Sequence, residues 1–180
     1  MTTEPQQNEQ GFTLIETLIA IGILAGGLMV LAGMFATGLS ALTASGPEII
    51  AHEKASDAIE NVFTARDTRS ITWAQIRNVA GQSGTDGGVF LDGERPMSMA
   101  GEDGLLNTAD DTGVESIMFP GPDNRMNTPD DQERFLTNYT RQIEIREVGP
   151  NLRRLRVTIR YLVGGARRTY VLETFVSSFA

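Results

Sequence analysis

One uninterrupted apolar run constrains this chain more than any other feature. From Phe12 to Leu42 every residue is apolar, small or hydroxyl-bearing except Glu16, the only ionisable group. Residues 17–36 alone give about twenty positions, which at about 1.5 Å per residue cross the roughly 30 Å hydrocarbon layer of a bilayer. A secretory signal peptide has a basic start, a shorter apolar stretch and a small-residue cleavage site. Residues 1–11 hold no Lys or Arg, and the run is too long for that pattern. A plain membrane anchor explains the length but not the glutamate. A carboxylate at the bilayer centre costs on the order of 3 kcal/mol, less near an interface, so Glu16 reads as functional by default.

The residues ahead of the run carry a resemblance. Gly11-Phe12-Thr13-Leu14-Ile15-Glu16 resembles the processing motif of type IV prepilins and type II secretion pseudopilins. The resemblance implies cleavage by prepilin peptidase between Gly11 and Phe12, methylation of the new Phe12 amine, and Glu16 as the fifth mature residue. The Phe12 ammonium would then lie four residues from Glu16 on one helix face, or meet the Glu16 of a neighbouring subunit where water exclusion strengthens the attraction. A buried pair of that kind fixes register better than it adds stability. Family leaders are commonly basic, whereas this one contains Glu4 and Glu9. Gly22-x-x-x-Gly26 adds a small-residue face on which helices can approach closely.

The fold this implies is α+β and pilin-like. It comprises a leader (1–11), a hydrophobic transmembrane and filament-core helix (12–44) and a globular head (45–180). Ser45-Gly46-Pro47 interrupts the helical pattern, leaving open a single kinked helix or two helices with a short break. Beyond it, Ala51, Ala55, Ala58, Ile59, Val62 and Phe63 recur at three- and four-residue spacing. That pattern predicts an amphipathic helix over 47–66 with its apolar stripe on a sheet. Within 135–180, period-two alternation predicts antiparallel strands around 138–148, 152–163 and 166–177, with turns at Gly149-Pro150-Asn151 and Gly164-Gly165. The implied register places Ile143 opposite Val157, Ile145 opposite Leu155, Val157 opposite Leu172 and Ile159 opposite Tyr170. It also lines up Glu144, Arg156 and Glu173 as a charge triad on the wet face.

A second feature lies between helix and strands, in the acidic loops of residues 84–133. Gly101-Glu102-Asp103-Gly104-Leu105-Leu106-Asn107-Thr108-Ala109-Asp110-Asp111 recurs twenty residues later as Gly121-Pro122-Asp123-Asn124-Arg125-Met126-Asn127-Thr128-Pro129-Asp130-Asp131. Clustered carboxylate and amide oxygens on a turning chain suit a hard cation with six to eight oxygen ligands. The spacing is not that of an EF-hand; it is similar to short Asp- and Asn-rich calcium loops of secreted bacterial proteins. The expected cofactor is structural calcium, with Asp103, Asn107, Asp110 and Asp111, then Asp123, Asn127, Asp130 and Asp131 as ligands. A pair of metal-free Asx-turns is the plainer alternative.

Charge and composition narrow the function. Residues 84–133 carry twelve acids against Arg95 and Arg125, while 135–180 carry eight arginines against three glutamates. Two oppositely charged blocks suit contacts between neighbouring molecules. The arginines mostly alternate with apolar residues as a wet strand face, with few aromatics between them for base stacking, which argues against nucleic acid. No cysteine and a single histidine, His52, leave neither a thiol nucleophile nor a His-rich metal centre. Paired carboxylates also serve glycosidases, but no aromatic sugar cleft is legible. The chain therefore reads as a non-enzymatic structural subunit, similar to minor pilins of the PilV type. Alternatives are a minor pseudopilin of type II secretion and a DNA-uptake or calcium-dependent adhesive pilin. The partners implied are other pilin subunits, prepilin peptidase, the inner-membrane assembly platform and, before assembly, membrane lipid. The location implied is a single-pass inner-membrane precursor with its head outside the cytoplasm, then a surface pilus or a periplasmic pseudopilus.

Overall fold

A computed structural model describes residues 11, 13–80 and 87–179. One long helix, α1 (Leu14–Asp67), opens the chain and runs through Pro47 without a break. The chain divides into two compact units, 1–43 and 44–180. In the first unit, Leu14–Leu39 is a stretch long and apolar enough to cross a membrane. Its large side chains, Phe35 and Met29 among them, are exposed. Two of its hydroxyls turn back onto the helix: Thr17 Oγ1 donates to the Leu14 carbonyl at 2.8 Å and Thr37 Oγ1 to the Gly33 carbonyl at 2.9 Å. Such back-bonding hides a polar group from an apolar surround.

The second unit contains the core. Ala51, Ala55, Ala58 and Val62 are buried along one face of the helix, as the spacing predicts, with Ala65 buried beyond them and Ile59 and Phe63 only partly buried against the core. Small side chains there let the helix approach a four-stranded antiparallel sheet of order β1 (Arg95–Pro96), β4 (Tyr139–Gly149), β5 (Leu152–Val163) and β6 (Ala166–Ser177). Ile143, Ile145, Leu155, Val157, Ile159 and Val176 face that helix stripe and form one cluster with it. A separate hairpin, β2 (Ser116–Phe119) with β3 (Gln132–Phe135), carries the second acidic loop at its tip.

The strand register is the one the alternation implies: Ile143 opposite Val157, Ile145 opposite Leu155, Val157 opposite Leu172 and Ile159 opposite Tyr170. Gly164 and Gly165 both have positive φ, 56° and 82°, the backbone of a tight two-residue hairpin turn. The β4–β5 connection is tighter than a three-residue loop. A bulge between Glu147 and Gly149 lets Gly149 pair with Leu152 while the register further along is kept. Glu144, Arg156 and Glu173 do stand side by side, but only part of the triad bonds. Arg156 Nε meets Glu173 Oε2 at 2.7 Å, whereas Glu144 turns along its own strand to Arg146 Nε, also 2.7 Å away.

Two arginines depart from the wet-face pattern. Arg141 has no exposed side chain; its Nη1 lies 3.1 Å from Glu115 Oε2 and its Nη2 donates to the Ser98 carbonyl at 3.0 Å. The other oxygen of Glu115 meets Lys54 Nζ at 2.9 Å, so one carboxylate joins helix, loop and sheet. Arg153 is only 2 % exposed. It donates to the carbonyls of Trp73 and Ile76 and lies 4.0 Å over the Trp73 ring, which fixes the short 3-10 turn Trp73–Gln75 on the sheet. Buried Asn78 does similar work for the segment after it. Its Nδ2 donates to the Ile143 carbonyl at 2.8 Å and its Oδ1 accepts from the Ile145 N–H at 2.7 Å, imitating one rung of strand pairing at β4.

Replacing Asn78 by alanine strands two buried backbone groups of β4 at once. The Asn78→Ala variant should lose about 2–4 kcal/mol of stability in denaturant titrations followed by the single tryptophan, Trp73.

Candidate functional site

The processing motif lies at the start of α1. Gly11 is exposed and Thr13 is the last residue before the helix, while Phe12 and the leader acids Glu4 and Glu9 fall outside the described residues. Glu16 sits in the first helical turn, where an acidic side chain suits the positive helix end. Its N–H lies 3.3 Å from Thr13 Oγ1, and its Oε2 accepts from the Thr13 N–H at 3.4 Å and from Thr13 Oγ1 at 3.3 Å. That is a reciprocal capping box, Thr-x-x-Glu, which satisfies helix-end donors. The pattern Thr13-Leu14-Ile15-Glu16 was legible in the sequence but eclipsed by the processing motif that contains it. Glu16 thus has a local structural partner as well as its expected role in pairing with a neighbour.

The two acidic loops fold alike, rung for rung. In the first, Asp103 N–H donates to Asp110 Oδ2 at 3.0 Å, Leu105 N–H to Asp103 Oδ1 at 2.7 Å and Asn107 N–H to Asp111 Oδ2 at 2.7 Å. In the second, Asp123 N–H reaches Asp130 Oδ2 at 3.3 Å, Arg125 N–H reaches Asp123 Oδ1 at 2.8 Å and Asn127 N–H reaches Asp131 Oδ2 at 2.6 Å. Asn107 and Asn127 both have positive φ, 69° and 65°, a conformation asparagine tolerates better than most residues. Gly101 and Gly121 are required for one reason. A Cβ on either would fall far inside contact distance of the aspartate that folds back over it, Asp110 or Asp130. The repeat is therefore a structural unit used twice.

The carboxylates gather around a threonine in each loop. Thr108 Oγ1 lies 2.7 Å from Asp110 Oδ1, 3.2 Å from Asp111 Oδ1 and 3.4 Å from Asp103 Oδ1. One hydroxyl has one proton to give, so three carboxylate oxygens converge where only one can accept it. In the second loop Thr128 Oγ1 lies 2.7 Å from Asp130 Oδ1 and 3.3 Å from Asp131 Oδ1. All these bonds are internal to one loop, and among the described residues no hydrogen bond joins the two carboxylate groups. Asn107 does not join its group through Nδ2, which faces the Leu91 carbonyl at 3.4 Å. Among the described residues no group of three or more His, Cys, Asp or Glu is arranged to hold a metal ion. The donor chemistry suits a hard cation, while the backbone N–H groups already take part of the charge.

The loops differ in what surrounds them. The first is docked on α1: Asn61 Nδ2 donates to the Gly104 carbonyl at 2.8 Å, and Asn61 Oδ1 accepts from the Leu106 N–H at 3.0 Å. Leu91 N–H donates to the Asn107 carbonyl at 2.7 Å, and Leu105, Asn107 and Thr108 are buried. The second loop has exposed Arg125 and Met126 at the positions of Leu105 and Leu106, and its Asp123, Asn127 and Asp130 are exposed too. Asn61 was missed by sequence reading, because a lone polar residue beside an apolar stripe looks like any wet helix position.

Hydrogen bonding shapes the acidity of these carboxyls. The Asp103 N–H and the Thr108 hydroxyl hold Asp110 below its ordinary value of 3.8, and the Thr128 hydroxyl and the Asp123 N–H do the same for Asp130. Burial pushes Asp111 the other way. Most arginines of the wet sheet face have an acidic partner. Arg146 meets Glu144, Arg156 and more loosely Arg154 meet Glu173, and Arg160 Nη1 lies 3.1 Å from Glu94.

Comparison with known proteins bears on the N-terminal segment. Residues 6–40 match the family model described as the prokaryotic N-terminal methylation motif. The match covers the segment that carries the resemblance to type IV pilins and pseudopilins, and the motif indicates a substrate of prepilin peptidase. The motif and the apolar helix Leu14–Leu39 together fit a membrane-anchored precursor. No curated protein and no solved structure matches the chain.

Two outcomes follow from the loop geometry. Gly101→Ala, in the docked loop, should cost about 2–3 kcal/mol and lower the melting temperature by about 5 °C or more, while Gly121→Ala should shift it by under about 2 °C. A depressed carboxyl stabilises the fold above its unfolded value and loses that contribution as pH falls through the lower folded value. Hydrogen exchange at the Asp103 and Asp123 amides, measured with chelator present, should therefore accelerate relative to neighbouring amides only below pH 3.8.

Proposed function

We propose that this chain is a minor type IV pilin of the PilV type, which primes a pilus or joins it as a processed subunit. The observation that carries the assembly reading is the run Gly11 to Glu16 set directly before the exposed apolar helix Leu14–Leu39. An apolar surface of that length needs a cover, first lipid and then the helices of other subunits. A minor rather than shaft-forming role is supported by the head, whose second acidic loop lies outside the core and is free for work other than packing. Glu16 supplies the charge that sets the axial position of an entering subunit, against the Phe12 amine of a neighbour. The inner-membrane assembly platform is the partner at which that entry takes place.

Calcium belongs to the same reading of the head. Three carboxylate oxygens around Thr108 and two around Thr128 support a hard-cation role for Asp103, Asp110 and Asp111, and for Asp123, Asp130 and Asp131, with Asn107 and Asn127 completing the sets through carbonyl oxygens. When bound, such an ion would supply neutralisation and a staple across a loop in a chain without disulfides. These residues are bound to the fold rather than to a reaction, and the chain is a structural subunit.

Glutamine can keep the capping box but carries no charge, so it separates the two roles of Glu16. Glu16→Gln should retain helix content and membrane insertion yet reduce incorporation into filaments at least about tenfold, as should Glu16→Ala; normal incorporation of the glutamine variant would remove the pairing role. Deletion of the gene should abolish surface piliation or pilus-driven motility and leave exoprotein secretion intact, whereas the reverse pattern assigns the chain to a secretion pseudopilus. For the metal, millimolar calcium should raise the melting temperature of the purified protein and EGTA should reverse the rise; a midpoint indifferent to both removes calcium from the account.

A further inference from the structure

The head carries most of the chain's acids, yet one end of it is basic and apolar. Where β4 begins and β5 finishes, Arg134, Arg167 and Arg168 are exposed and form no ion pair among the described residues. Of the acids at this end, Glu94 is paired with Arg160 at 3.1 Å and Glu133 accepts from Ser116 Oγ at 2.7 Å, which leaves exposed Glu48. Ile49, Phe135 and Leu162 are exposed beside them. A groove of about 270 Å³ opens here between Pro47, Phe119, Arg134, Phe135 and Leu162. The Arg134 guanidinium lies 4.4 Å over the Phe119 ring. Tyr139, which also lines the groove, stacks on Tyr161 and donates its hydroxyl to the Pro47 carbonyl at 3.4 Å. The groove is therefore fixed to the stretch of α1 that enters the head.

We infer that this end of the head docks on the bilayer that holds the apolar helix, with the groove against the headgroup region and the three arginines on anionic lipid phosphates. The inference rests on the reading of Leu14–Leu39 as a membrane anchor. Chain length selects the occupant. Pro47 follows Leu39 by eight residues, which reach at most about 29 Å even when fully extended. The opposite end of the sheet, at Gly149-Pro150-Asn151, lies a further distance of about 36 Å along β5. Side-chain type agrees with chain length. Arginines and aromatic rings settle where hydrocarbon gives way to water, the ring in the apolar layer and the guanidinium at the phosphates. Apolar burial and attraction to anionic headgroups then add. Asp123 of the second acidic loop follows Phe119 by four residues and is repelled by the same phosphates, so the head leans with its arginines toward lipid and that loop away. A subunit held in this way is oriented before assembly and releases lipid as it enters a filament.

The chain has no cysteine, so single-cysteine variants of the full-length protein, each labelled with a fluorophore, report one position at a time. The protein is placed in nanodiscs containing lipids with nitroxide quenchers at headgroup and mid-chain depth. EGTA is present so that no cation bridges the acidic loops to lipid. With phosphatidylglycerol in the disc, the label at Leu162→Cys should be quenched at least about fivefold more than the label at Asn151→Cys. In phosphatidylcholine alone, or in about 0.5 M salt, that excess should fall at least about threefold. Arg134→Gln, Arg167→Gln and Arg168→Gln combined should lower it equally. The unfolding midpoint of the combined variant confirms its fold, and the salt and lipid arms need no change in the head beyond the label. Leu24→Cys, inside the apolar helix, tests the anchor: strong quenching there in both lipids supports it, and none removes anchor and docking together. Quenching at Leu24→Cys with equal signals at Leu162→Cys and Asn151→Cys would overturn the docking alone, as would a Leu162→Cys signal indifferent to lipid charge, salt and the arginines.

Discussion

The carboxylate of Glu115 holds the head together in a way no apolar contact does. One oxygen meets Lys54 on the helix and the other meets Arg141 on β4, while its backbone N–H donates to Met97 and its carbonyl accepts from Leu136. Helix, sheet and the segments on both sides of the hairpin all pass through that residue. An ion pair with one fully buried partner adds little net stability over an apolar substitute, but breaking it strands a charge. Its value is specificity: with Glu115 in place, the loops between β1 and β4 have one seat. Burial of Lys54 works against its charge, yet Glu115 and Asp57 more than offset this and raise its pKa. On the lysine side the bridge is thus intact at the ordinary lysine value and is lost as pH rises through the raised folded value.

The parts of the fold readable from sequence are those governed by a period. Alternation in Ile143–Arg146 and Leu155–Val163, with the turn signal at Gly164-Gly165, predicts three strands and their register, and the alanine spacing predicts the buried helix face. Pro47 was a weaker guide. It removes a single N–H and, deep inside a helix that runs from Leu14 to Asp67, the surrounding turns carry it along. The sequence does not show where a polar residue finds a partner far along the chain. Arg141 and Arg153 occupy inward positions of their strands, which alternation flags as apolar, and both are satisfied by segments 26 to 80 residues away. Asn78 and Asn61 act through the same long-range logic. No local pattern announces such residues, because the same letters at the surface would need no partner.

The acidic repeat was legible as a pair of similar loops but not as a pair with different fates. Identity at Gly, Asp, Asn, Thr and the final Asp-Asp preserved the three backbone-to-carboxylate rungs. The residues that decide docking are the variable ones, Gly104-Leu105-Leu106 against Asn124-Arg125-Met126, together with Asn61, which is far away in sequence. The shared residues build the loop, and the differing ones determine whether the head buries it. Charge follows the same division, since the first loop lies near Arg141 and the second meets solvent.

That division makes the second loop a natural display position. Its rungs close on Asp123, Asp130, Asp131 and Thr128, none of which is part of the buried core, and the three residues at its tip, 124–126, are exposed. Foreign residues substituted at 124–126 would be held by a frame that owes its shape only to itself. A filament that takes up such a subunit would carry them with it, with the first loop left behind as the undisturbed record of the original design.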